Sequence, residues 1–370
     1  MTRSRRSARR KVAWTVPLAT VAVVGGAIAV PLSASAGPPD LDGTTPEALL
    51  AAVRTADVQH LSGQVAETAR LGLPQLPGQS DEASLSWQTL VTGTNTARVA
   101  VDGPDRQRLA VLGTLAESDV VHNGGDVWTY ASSSHEVDHV VLSADLADRA
   151  GAMVPQDLAD PMAMTPLGAA QYVLDAVTPT TGVSMAENTR VAGQDAYSLV
   201  LTPEQAGSTI SRVVIAVDAT RHTPLRVEIF NADAATTDAV FETGFTSISY
   251  DRPSAATFDF AVPAGATVTT HRAKDGVAAG ATDPAAAQVL GSGWTSVVEY
   301  TPDAEARAAL APEALTASSS TEAMGRLVTE LPNGDRLLST ALVNVLQTAD
   351  GRVLAGAVQP SVLQQAAATG

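Results

Sequence analysis

None of the 370 residues is a cysteine. That excludes disulfides, thiol nucleophiles and Cys-ligated zinc, and leaves the fold to be held by its core alone. Lysine is nearly as scarce: Lys11 and Lys274 stand against twenty-one arginines, beside abundant alanine. Folding physics does not ask for that bias, whereas a GC-rich genome produces it, which points to a high-GC Gram-positive bacterium as the source. Cations are outnumbered overall, with a formal net charge of −16. A chain so acidic is not built to bind nucleic acid or to dock on anionic lipid headgroups by charge, and its spread-out carboxylates make a solvated surface. Neither a Gly-x-Ser-x-Gly elbow nor a phosphate-cradling glycine loop is present, and no repeat is found.

Acids are missing from the first eleven residues, which hold Arg3, Arg5, Arg6, Arg9, Arg10 and Lys11. A largely apolar run from Val12 to Leu32 follows, then Ala34-Ser35-Ala36, the small-x-small pattern cleaved by signal peptidase. The basic end stays cytosolic while the apolar run enters the bilayer. Residues 1–36 therefore read as an export signal, with Gly37 as the mature N-terminus. A run this long also spans a bilayer, so an uncleaved anchor is the alternative. Cleavage would take six cations away and leave a net charge of −22. With no cysteine at the site, lipid modification there is excluded.

Thr45 and Pro46 predict a helix start, with Leu49, Leu50 and Val53 on one stripe. From Gly63 to about Phe260 the pattern is one of short β-branched and aromatic runs: Thr96–Val101, Arg108–Leu112, Val127–Tyr130, Val137–Leu142, Tyr197–Leu201, Val213–Val217, Leu225–Phe230 and Phe241–Tyr250. Leu225, Val227 and Ile229 alternate with Arg226 and Glu228, the mark of antiparallel strands with one wet side. A helix is expected near Pro166–Val177. We divide the chain into a signal (1–36), a curved-sheet domain (37–268), a linker (269–290) within an Ala/Gly/Thr-rich stretch, and a small C-terminal α+β domain (291–370). The last is expected to hold strands at Trp294–Tyr300, Leu327–Leu331, Leu337–Gln347 and Val353–Val358 and a helix at Pro360–Ala368.

His135-Glu136-Val137-Asp138-His139 matches the zinc-protease pattern His-Glu-x-x-His. The pattern works on a helix, where residues four apart share a face and both imidazoles reach one zinc. Here Ser132-Ser133-Ser134 and the valines after His135 predict a hairpin. At about 3.3 Å per residue a strand would separate the two histidines by roughly 13 Å. We expect surface histidines, no metal, no cofactor and no catalysis. His60, His122, His222 and His271 sit among polar turn residues and read as exposed, and Asp102 and Asp105 read as turn acids.

The order of several short motifs resembles the LolA-like superfamily, which contains the lipoprotein carrier LolA and sigma-factor regulators of the RseB/MucB type. The motifs are Leu61-Ser62-Gly63, then Gly103-Pro104-Asp105-Arg106-Gln107-Arg108, and Asn123-Gly124-Gly125-Asp126-Val127-Trp128-Thr129-Tyr130. Val191-Ala192-Gly193-Gln194-Asp195-Ala196-Tyr197-Ser198-Leu199 follows, then Val217-Asp218-Ala219 with Pro224-Leu225, Phe241 to Tyr250, and Phe258-Asp259-Phe260 with Pro263-Ala264-Gly265. The resemblance spans about residues 45–268. It implies a mainly β (α+β) fold: one strongly curved antiparallel sheet, an unclosed barrel, with helices on its concave side and an apolar cavity for acyl chains. It brings no catalytic residues.

On this basis we expect a non-enzymatic extracytoplasmic binding protein for a lipid or an acylated lipoprotein. Trp128, Tyr130, Tyr197, Leu199 and Leu201 are its candidate cavity lining, because each set shares a face of its strand. The alternative is an envelope-stress regulator that binds a membrane-bound anti-sigma factor through its C-terminal unit. A zinc peptidase using His135, Glu136 and His139 ranks last. Whether the apolar face encloses a cavity or a closed core is left open by the residues alone.

Overall fold

The computed structural model describes residues 37–73, 92–113, 116–142, 165–177, 179–233, 238–272, 287–302 and 328–369. The export segment, residues 1–36, and residues 273–286 of the expected linker lie outside them. Two short helices form where the sequence predicts them. In α1 (Pro46–Thr55) the Thr45 hydroxyl accepts from the Ala48 amide at 3.2 Å, and in α2 (Pro166–Asp175) Thr165 does the same for Gly168 at 3.2 Å. Proline follows each cap, where its missing N–H costs nothing.

Most of the rest is strand, and twelve strands form one sheet. These are β1 (His60–Arg70), β2 (Thr92–Asp102), β3 (Arg106–Leu112), β4 (Glu117–Asn123), β5 (Asp126–Ala131) and β6 (Glu136–Val141). After α2 come β7 (Thr181–Val191), β8 (Gln194–Pro203), β9 (Ile210–Asp218), β10 (Pro224–Asn231), β11 (Phe241–Ser249) and β12 (Thr267–Arg272). β1 lies inside the sheet. One meander, β2 to β6, descends on one side of it, and a second, β7 to β11, closes up on the other when β11 pairs with β1. β12, in the stretch read as a linker, adds beside β6 in parallel. The edge strands β12 and β7 do not pair with each other, so the sheet is not closed into a barrel.

Two local features set the register. Ala192 and Gly193, at φ 51° and 82°, form the two-residue turn between β7 and β8, the positive-φ geometry that suits strand twist. On β1, pairing with β11 slips between Gln64 and Val65. Just before the slip, a Cβ at Gly63 would fall 2.3 Å from the Ser247 carbonyl oxygen, so only glycine lets the two backbones approach.

A separate six-stranded antiparallel sheet follows: β13 (Ala287–Leu290), β14 (Val297–Tyr300), β15 (Val328–Glu330), β16 (Arg336–Ser339), β17 (Asn344–Gln347) and β18 (Val353–Gly356), with helix α3 (Pro360–Thr369) on one face. Val297, Leu346, Leu354, Val358 and Leu363 make its core. Two expectations are corrected here. Leu337–Gln347 is not one strand: the Thr340 hydroxyl accepts from the Leu342 and Val343 amides at 3.2 and 2.9 Å, and that local bonding outcompetes the ladder and turns the chain. Trp294 does not begin a strand. It sits in a 3-10 turn, Gly293–Thr295, and buries its ring in the core of the large sheet, where its indole N–H donates to Thr181 at 2.8 Å. Backbone bonds from Gln359 to Gly207 (2.7 Å), Thr209 to Ala357 (3.0 Å) and Ala341 to Leu71 (3.0 Å) join the two sheets further.

Candidate functional site

Strand residues two apart share a face, and residues paired across strands share it too. One row on the large sheet runs Met185, Leu199, Ile215, Val227, Thr243, Glu67, Asn95. The next runs Leu201, Val213, Ile229, Phe241, Ala69. Leu49 and Val53 of α1, Ala170, Val173 and Leu174 of α2, and Trp294 pack on this face. Leu199 and Leu201 have no exposed surface, so at these positions the face is packed core rather than open cavity. Tyr197 lies at its rim, half-buried, and its hydroxyl donates to the Asp42 carbonyl at 2.9 Å. The two helices are latched to each other: Arg54 of α1 donates to the Leu174 carbonyl of α2 at 2.8 Å, a cation placed where the last carbonyls of a helix are unpaired.

Trp128 and Tyr130 are not brought to this face. Trp128 belongs to a row through His139, Val121, Arg108, Ala100 and Ser62, and Tyr130 to one through Asp119, Ala110, Arg98 and Gln64. Ser62 and Gln64 alternate with Leu61, Val65 and Glu67 on β1, so both aromatics stand on the opposite side of the sheet from Leu199. The five expected residues are thus split three and two. Trp128 stacks on His139 at 3.6 Å between ring centres and on Phe260 at 5.2 Å, and His139 Nε2 pairs with Asp126 at 2.7 Å. His135 sits in the hairpin turn at φ 55° and Glu136 is exposed at the start of β6, so the His-Glu-x-x-His residues lie on a hairpin and do not converge. Among the described residues no three His, Asp or Glu side chains are grouped to hold a metal.

A strap, residues 251–260, crosses that opposite face. Arg108 fixes it by donating to the Thr257 carbonyl at 3.0 Å, and Asn123 does so at the Phe258 carbonyl at 3.3 Å. Its root is held by Asp102, which was read as a turn acid and is buried. Its carboxylate pairs with His60 (2.8 Å), Arg106 (2.5 Å) and Arg252 of the strap (2.9 Å). Burial pushes the Asp102 pKa up, but the Arg252 hydrogen bond and the charges of Arg106, Arg252 and His60 outweigh it and hold the carboxyl below its ordinary value. His122, expected at the surface, is also buried, with Nε2 2.9 Å from the Gly124 carbonyl. Position within a strand, not polarity, put these groups inside.

Glu67 is the residue of the helix-covered face that sequence reasoning missed. It is 2 % exposed, takes a 2.6 Å hydrogen bond from Asn95 on one oxygen and has no partner on the other. Burial raises its pKa to about 8 against the opposing Asn95 bond, so the group is a neutral carboxylic acid at neutral pH.

No protein-family model matches the sequence, and no curated protein does. Several solved structures overlap this chain at low identity. A chain of the Pseudomonas aeruginosa MucA/MucB complex is 15 % identical, with 86 % of this chain and 93 % of that one covered, at a TM-score of 0.39. A LolA superfamily protein from Nitrosomonas europaea is 13 % identical over 59 % of this chain and 99 % of its own, at 0.24. A DUF1329 family protein from Desulfovibrio piger is 15 % identical over 58 % and 98 %, at 0.22. Identities and scores this low carry no inference about what this chain binds. Among the described residues no helix is long and apolar enough to cross a membrane.

Proposed function

We propose that this is a non-enzymatic, extracytoplasmic binding protein that holds a lipid, or the acylated end of a lipoprotein, between the large sheet and helices α1 and α2. One observation supports the reading above the others: a broad apolar sheet face is covered by two ten-residue helices. Helices that short are marginal by themselves and owe their order to the surface they cover. The sheet beneath is tied by its own ladders. An acyl chain gaining about 0.8 kcal/mol per buried CH₂ competes for the same surface. The Arg54–Leu174 bond is the latch that such a chain must open. Arg54→Ala is therefore expected to speed uptake of a fluorescent long-chain fatty acid several-fold, measured by stopped flow. Absence of any binding to the wild-type protein would end the proposal.

A second reading, docking of a membrane-bound regulatory protein on the C-terminal unit, is favoured by a different feature. Val289 and Val298 face each other across β13 and β14 and are 66 % and 46 % exposed, at the edge of the small sheet. Val289→Glu with Val298→Glu is expected to abolish co-purification of a membrane partner while leaving fatty-acid binding intact. Retention of the partner by this variant would remove the reading.

A further inference from the structure

The face of the large sheet opposite the helices carries a groove of about 340 Å³, bounded on one side by the strap at Thr257. Its floor is made of small side chains, Ser62, Ala100 and Ala110, on three neighbouring strands. Small residues there leave the sheet surface low and largely apolar between taller walls formed by Arg98, Arg108 and Glu117.

The charges of those walls differ in availability. Arg108 is spent: it forks onto Asp119, with Nε at 3.1 Å and Nη2 at 2.5 Å, and gives its remaining nitrogen to the strap. Asp119 is buried beneath it, desolvation raising its pKa against the pull of Arg108. Arg98 is exposed, and among the described residues neither a hydrogen bond nor a carboxylate within 4.0 Å engages it. In a chain with a net charge of −16, a cation left unpaired at the mouth of a groove is a recognition feature rather than a neutralised one. With Asp119 and Glu117 both close by, the site as a whole carries no excess positive charge, which turns away dianions such as phosphate esters.

We infer that this groove is a second binding site, for an acid with one negative charge and an apolar body, such as a medium-chain carboxylate. The carboxylate sits on the Arg98 guanidinium, a planar fork matched to its two oxygens. The chain lies over Ala110 and Ala100 toward Ser62 and Thr257. A volume of this size is at the low end for small-molecule sites, enough for a short chain and too little for a diacyl lipid.

Calorimetric titration of the mature full-length protein with sodium decanoate tests this. The expected result is one-to-one binding that Arg98→Ala weakens at least tenfold, that Arg98→Lys weakens less because it keeps the charge but loses the fork, and that Ser62→Leu blocks by filling the floor. Because Arg98 is exposed, its variants are expected to fold normally, to be checked by circular dichroism. Prior saturation with the fluorescent long-chain fatty acid should leave decanoate affinity unchanged, which separates this groove from the helix-covered face. Binding indifferent to Arg98→Ala would overturn the proposal. So would absence of decanoate binding, or attachment to vesicles of anionic phospholipid without binding of the free acid.

Discussion

Leu199→Asp is expected to leave the large sheet unfolded, seen as loss of cooperative urea unfolding and of the strand signal in circular dichroism. Leu199 has no exposed surface and stands in a row between Met185 and Ile215, under the helices. Its side chain removes apolar area from water, and an aspartate there brings a charge with no partner into the same space. The penalty is on the order of 5 kcal/mol, comparable to the whole stability of many domains. Thr202→Asp on the same strand is the control. Thr202 is exposed on the other face, so its change should stay within about 0.5 kcal/mol. Equal damage from both would mean that the register of β8 is wrong, since a one-residue slip exchanges the two faces.

Glu67→Gln is expected to stabilise the protein at alkaline pH and to remove a pH dependence. The sign follows from proton binding. The folded state keeps the Glu67 proton up to about pH 8, whereas the unfolded chain releases it near the ordinary value of 4.5. Between those values the folded state holds more protons, so wild-type stability falls as pH rises, at up to about 1.4 kcal/mol per unit. Glutamine has no proton to lose and keeps an oxygen for Asn95. Urea midpoints of the two proteins should therefore converge near pH 5 and separate by pH 9, with the variant higher. Midpoints of the two proteins that stay parallel from pH 5 to pH 9 would show that Glu67 ionises at its ordinary value in the folded state.

How far each feature was legible follows from how each strand is loaded. β8 and β10 were readable because large apolar residues recur at alternate positions: Tyr197, Leu199 and Leu201 on one, and Leu225, Val227 and Ile229 on the other. β1 was not. Its inward positions are Leu61, Gly63, Val65, Glu67 and Ala69, so the obvious apolar residues recur every fourth place, a period closer to a helix than to a strand. β4 hides for another reason: Ser118, Asp119 and His122 are buried and paired, and their polarity reads as a loop. β7 is a mostly polar edge strand. Besides meeting packed core at Leu199 and Leu201, the expected lining was split between the two sides of the sheet. Trp128 with Tyr130, and Tyr197 with Leu199 and Leu201, do share faces within their strands, but alternation within a strand does not say which side of the sheet it faces. That parity is fixed strand by strand through β1 and its slip at Gln64, which composition does not reveal.

The central place of β1 has a consequence for the order in which the molecule assembles. Ser62 pairs with Ser249 and Ala69 with Phe241, contacts that span more than 170 residues, and among the described residues the two meanders meet nowhere else in the ladder. Such distant pairings slow folding, because loop entropy is lost before the contact returns anything. A ribosome or translocon releases β1 to β6 long before β11. Until then β1 is a bare edge, with unpaired N–H and C=O groups and the uncovered side chains of Leu61 and Val65. The first half of this protein is thus a template waiting for its last strand, and whatever prevents it from pairing with a neighbour's β1 in that interval governs its yield.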